Sequence, residues 1–237
     1  MPIFNSMSTK DLALATCFTA LYAVFGAIKI SPIVGLSGQA ITAAAIIAPV
    51  LGIILGPIIA GLSTFLGGLV GSFFGFFSPL SVTAGVVTAL CSGLTSQRKR
   101  SYAVLIYLAL FLSLTFYPNV GPAWLFPLYS WFQLVGLVIL VSSLQSLASD
   151  YRKNTGRVRL IYSYFVTALV ATLAGQIAGT LTFEFTMAPN SSYFLLTWEE
   201  TWFLYPAERI LIAVVATLIG VPLAKALRHA NLLSQSP

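Results

Sequence analysis

One histidine in 237 residues leaves little room for acid–base or zinc chemistry. His229 has no second imidazole to pair with, so an HExxH zinc helix cannot be built. Its place beyond the last apolar stretch also rules out a Ser-His-Asp relay. No Asp-rich or Cys-x-x-Cys metal pattern exists, nothing in the chain asks for a cofactor, and no Walker sequence is present to hydrolyse a nucleotide by the P-loop route. Cysteine is nearly as scarce. Cys17 and Cys91 both lie in apolar stretches, where a thiol behaves as a small hydrophobe and suggests neither a disulfide nor a metal ligand. Charge is the deepest deficit: 8% of residues are charged against 58% hydrophobic, and the mean hydropathy of +0.92 excludes an ordinary soluble α protein.

What charge remains is ordered along the chain. Lys10, the Arg98-Lys99-Arg100 run, the group Arg152, Lys153, Arg157 and Arg159, and Lys225 with Arg228 are separated by apolar stretches that each allow an even number of membrane crossings. One threading puts all ten on the same side, as the positive-inside rule requires, and both termini are then cytoplasmic. Against Asp11 and Asp150 this side carries a net +8. Lys29 and Arg209 against Glu184, Glu199, Glu200 and Glu208 leave the outer side at −2, and together they give the +6 of the whole chain. Topology and anionic lipid account for the basic excess without nucleic acid.

At about twenty apolar residues per crossing, eight segments are expected, near 11–30, 38–55, 57–76, 80–95, 102–118, 122–147, 158–181 and 206–228. The expected fold is an all-α polytopic bundle forming a single integral-membrane domain over residues 1–237. The first segment has the length of a signal peptide, but Asp11 flanks it, no small-x-small cleavage site follows, and more membrane segments come next, so it reads as a retained helix. The 18 glycines fit close helix packing. Rows of small residues recur at i+4 spacing, as in Ala15, Thr19, Ala23 and Ala27, in Ser63, Gly67, Gly71 and Gly75, and in Thr167, Ala171, Gly175 and Gly179. Such rows let backbones approach, either inside the bundle or, for a peripheral first helix, against a partner.

Polar residues inside apolar segments are costly and therefore candidates for function. They gather towards the outer side: Lys29, Gln39, Gln133, Gln176, Glu184, Glu208 and Arg209. Each also has a plainer role open to it, because a lysine can snorkel, a glutamate favours a helix N-terminus and glutamines tie helices together. The one long connection, 182–205, holds Trp198, Trp202 and Tyr205 at helical spacing, and Thr197 to Glu200 has the Thr-x-x-Glu pattern that starts a short helix. An interfacial aromatic belt and a lid over a ligand pocket both fit this stretch.

Thr19-Ala-Leu-Tyr-Ala-Val24, Leu55-Gly-Pro-Ile-Ile-Ala-Gly61, Thr88-Ala-Leu-Cys-Ser-Gly-Leu94 and the last helix from Glu208 to Leu223 resemble the substrate-binding S components of energy-coupling factor transporters. The resemblance covers about the first hundred residues and the last helix. It implies a prokaryotic cell-membrane subunit that binds a vitamin-type micronutrient near the outer face and docks on a coupling membrane protein with ATPase subunits. It also implies a six-helix core, to which the stretch from about 122 to 181 adds two helices. The family's Ala-x-x-x-Ala docking motif is matched loosely by Ala15, Thr19 and Ala23. The expected pocket lies between Lys29, Gln176, Glu208 and Arg209, with Trp202 in the segment closing over it. An integral-membrane enzyme built on the outer carboxylates, or a structural subunit of a membrane complex, are the competing readings.

Overall fold

Proline and glycine punctuate the chain, and most helices begin or end on one. In the computed structural model, which describes residues 9–34, 38–151, 156–186 and 191–230, helix α1 (Thr9–Phe25) stops at Gly26. A hairpin follows, β1 (Lys29–Pro32) paired antiparallel with β2 (Ala40–Thr42). The sequence reading carried the first helix to residue 30. The alternation of Ile28 and Ile30 with polar or small neighbours is instead a strand pattern, and it begins where Gly26 ends the helix. Helices α2 (Ala44–Leu55) and α3 (Pro57–Phe73) join at Gly56, whose φ of +79° suits glycine, with Pro57 filling the first position of α3. Helix α4 (Pro79–Ser96) is capped by Ser78, whose hydroxyl accepts from the Ser81 N–H at 3.4 Å, and α5 (Arg100–Thr115) follows a short turn.

The stretch expected to be one crossing is broken. It comprises α6 (Pro122–Leu125), a 3₁₀ turn (Pro127–Ser130), α7 (Trp131–Val141) and α8 (Ser143–Tyr151), with a 57° bend between the last two. Extended backbone at Ser142 interrupts the helix, and Arg100 satisfies what the break frees. Its Nε donates to Leu140 O at 2.6 Å, Nη2 to Ser142 O at 2.8 Å and Nη1 to Ser146 Oγ.

Helix α9 (Arg157–Thr186) is thirty residues long, and 83% of its most apolar window is buried, because α4, α5, α7, α8 and α11 (Leu204–His229) surround it. Its small residues make this possible. A Cβ on Gly175 would meet Thr88 Oγ1 and lie 2.5 Å from Ala84 O, so α4 and α9 touch backbone to side chain there. The α3 row does the same for α1: Ser63 Oγ donates to Ala15 O at 3.3 Å, and a Cβ on Gly67 would stand 2.7 Å from Thr19 O. Short α10 (Ser191–Thr201) crosses before α11. It begins six residues ahead of the expected start at Thr197, whose hydroxyl lies mid-helix and donates to Tyr193 O at 2.9 Å.

Among the described residues three helices, α4, α9 and α11, are long and apolar enough to cross a membrane, and the bent α7–α8 pair with its leading turn makes a fourth if it is a single span. Four shorter apolar helices accompany them, Leu12–Phe25, Ala44–Leu55, Pro57–Phe73 and Arg100–Thr115. The start of α1, the α4–α5 turn, the start of α9 and the end of α11 carry the clustered basic residues at one end of the bundle. The hairpin, the α3–α4 turn, the end of α9 and the start of α11 form the other.

Candidate functional site: a cavity at the hairpin end

At that second end the helices enclose a cavity of about 110 Å³. Close packing shapes it. Gly85, Gly175 and Gly179 lie in its wall, and a Cβ on Gly85 would collide with the Tyr22 hydroxyl, so α1 projects its tyrosine over α4 only because residue 85 has no side chain. Tyr22 stacks on Phe77 with ring centroids 5.3 Å apart and planes 12° from parallel. Phe183 and Trp198 line another part of the wall, and Ile33, Val34, Ile41 and Thr42 of the hairpin cover it.

The hydroxyls in this wall are largely occupied. Thr88, Thr172 and Thr197 each donate to a carbonyl of their own helix at 2.8 to 2.9 Å, Ser81 pairs with Ser78 at 3.1 Å, and Thr180 with Tyr129 at 3.2 Å. Two side chains differ. Gln176, 7% exposed, has neither amide atom within hydrogen-bonding geometry of a partner, although the Tyr129 hydroxyl lies near. Arg209, also 7% exposed, places Nη2 3.3 Å from Glu208 Oε2 and leaves Nε unpartnered. Buried polar atoms without partners are uncommon in folded proteins, and here two such residues share one cavity.

The structure sorts the sequence candidates. Gln176 and Arg209 are on the wall, and Glu208 stands behind Arg209 with its Oε1 buried and unpartnered. Lys29 is on β1, exposed, and off the wall. Trp202 is exposed as well, because α10 ends at Thr201 and α11 starts at Leu204, so helical spacing does not run from Trp198 through Trp202 to Tyr205. Trp198 and Tyr205 turn inward and Trp202 outward, with its carbonyl accepting from Trp131 Nε1 at 3.1 Å. Trp198 is fully buried, its Nε1 donating to Val120 O at 3.1 Å. Ala15, Thr19 and Ala23 are half-buried on α1, with the Ala15 and Thr19 carbonyls towards α3. Sequence reasoning missed Tyr22, because a tyrosine in an apolar helix does not reveal which way it points.

Glu184, at the end of α9, is 1% exposed with both oxygens unpartnered, close to Tyr129 and behind the wall rather than on it. Among the described residues no three His, Cys, Asp or Glu side chains gather into a possible metal site. The arrangement is suited to holding a small molecule: aromatic faces for area, with an amide and a guanidinium for orientation. No protein-family model, curated protein or solved structure matches the chain.

Proposed function

We propose that the protein is the substrate-binding membrane subunit of a micronutrient importer, taking its ligand in the cavity between Gln176 and Arg209. The observation that carries this reading is that Gln176, with both amide atoms lacking a well-aligned partner, and Arg209, with Nε free beside its Glu208 contact, share one aromatic-walled cavity, where buried polar groups favour a ligand that hydrogen-bonds to them. The cavity's position supports the direction of transport: apart from Lys29 and Arg209, the basic residues cluster at the other end of the bundle, which puts the cavity on the outer side under the positive-inside rule. In this reading the three long helices, the bent pair and the four shorter apolar helices make eight crossings of a prokaryotic cell membrane, lipid covers the exposed leucines and phenylalanines of α3, and both termini are cytoplasmic. With no Walker sequence, energy comes from separate ATPase subunits through a coupling membrane protein, and α1 with Ala15, Thr19 and Ala23 is the docking helix. The chain is not an enzyme in this account.

Co-expression with a coupling protein and ATPases from the same genome tests it. The complex should co-purify, Thr19→Trp should abolish co-purification while ligand binding persists, and small molecules extracted from the purified subunit should include one compound enriched over a detergent blank. A subunit that carries no small molecule and captures no coupling protein overturns the reading.

A further inference from the structure

Resting on the ligand-binding reading of the cavity, we infer that the ligand is a single planar heterocycle presenting an N–H beside a C=O, as in a lactam, imide or cyclic urea, read by the amide of Gln176. A primary amide holds a donor and an acceptor side by side, and its complement is another cis-amide edge, paired through two parallel hydrogen bonds as glutamine does with a nucleobase edge. Both atoms of the Gln176 amide are buried and lack a well-aligned hydrogen bond, with the Tyr129 hydroxyl close to one of them, on the α9 face that carries Thr172, Gly175 and Gly179 into the cavity.

The rest of the wall narrows the class. The hydroxyls of Thr88, Thr172 and Thr197 are donated to helix carbonyls, Ser81 pairs with Ser78 and Thr180 with Tyr129, which leaves few groups for the many hydroxyls of a sugar. No carboxylate lies on the wall to meet an ammonium, because Glu208 faces Arg209 and Glu184 stands behind. That disfavours amino acids and polyamines. Glu208 also offsets most of the Arg209 charge, so the site suits a neutral or singly charged molecule better than a phosphate. Shape agrees, since Tyr22, Phe183 and Trp198 offer flat faces for one ring to lie against, and a cavity of about 110 Å³ leaves no room for a second ring.

The test uses uracil, orotate and benzoate on the detergent-purified full chain, measured by calorimetry and thermal unfolding. Uracil has the cis-amide edge, orotate adds a carboxylate for Arg209, and benzoate has the ring and carboxylate without the edge. Uracil and orotate should bind and benzoate should not. Gln176→Leu should weaken uracil and orotate by about tenfold or more, the discrimination of a two-bond amide contact. The same substitution should leave unchanged or raise the melting temperature of the ligand-free protein, because it removes polar atoms that have no partner. A glutamine that merely ties helices together would lose stability instead. Benzoate binding as tightly as uracil, or Gln176→Leu retaining full uracil affinity, overturns the inference while leaving the cavity as a ligand site. No binding of any of the three at millimolar concentration also overturns it. If a panel of single-ring micronutrients then raises the melting temperature in an Arg209-dependent way, the ligand-binding reading stands. If nothing does, both fall.

Discussion

Arg209 and Glu208 are neighbours in sequence and each other's charge partner, and that changes how either is to be tested. Their side chains are each 9% exposed, so Arg209→Gln leaves a carboxylate buried without a counter-charge, a loss that costs about 3–5 kcal/mol whether or not a ligand is involved. The double variant Glu208→Gln with Arg209→Gln removes both charges and should keep a melting temperature close to the parent. Loss of ligand affinity in that background, by roughly 1.5–3 kcal/mol in calorimetry, belongs to the missing guanidinium contact. Full affinity in the double variant would return the pair to an interfacial role. Gln176 and Arg209 were legible in the sequence because a polar side chain in an apolar stretch is expensive and so announces itself. Trp198, Tyr22 and Tyr205 were not, since an aromatic ring is at home in a core, in lipid or in a pocket wall, and only contacts such as Phe194 of α10 on Phe183 of α9, and α1 over Gly85, decide which.

At the scale of elements, Arg100 holds the joint between α7 and α8. Its guanidinium makes three hydrogen bonds across that joint, two of them to carbonyls that the break at Ser142 strips of helix partners. Arg100→Ala should destabilise the protein by about 3 kcal/mol, seen as a lower thermal midpoint, and Arg100→Lys should recover little, because an ammonium cannot reproduce the planar fork. An unchanged midpoint for the alanine variant would mean that water substitutes fully for the guanidinium. The bend itself was hard to see in sequence: residues 131–147 are apolar enough to read as one helix, and what holds the break at Ser142 is a long-range contact from an arginine forty-odd positions earlier. The hairpin was hidden for a related reason. Its apolar residues read as a continuation of α1, and the two strands become recognisable only when Lys29 is seen opposite Thr42.

For the whole molecule, the basic clusters other than Lys29 and Arg209 lie at the end opposite the cavity, and this gives the proposed membrane orientation a direct assay. In a background with Cys17 and Cys91 replaced by serine, single cysteines at Lys99, Arg157 and His229 should resist an impermeant thiol reagent added outside intact cells, and one at Ser192 should react. Labelling of the Arg157 position from outside, with Ser192 silent, would invert the threading. The all-α character and the long apolar helices α4, α9 and α11 were readable because they depend on hydropathy alone. Their depth in the bundle was not, for hydropathy ranks α11 above α9, yet α9 is the helix that the others enclose.

That enclosure sets an order of events during synthesis. Residues 157–186 leave the ribosome only after α1 to α8 have been made, so the glycine and threonine surfaces of α4 that will receive Gly175 and Gly179 must wait without their partner. Such waiting intermediates are exposed to misassembly and proteolysis. A chain ending at residue 151 should therefore be degraded rapidly in cells, and co-expression of residues 152–237 as a separate chain should slow its loss in a pulse-chase experiment. Equal turnover with and without the second fragment would mean that the first eight helices already form a stable body. Otherwise α9 is the late keystone, and the cavity does not exist until the final third of the protein has been inserted.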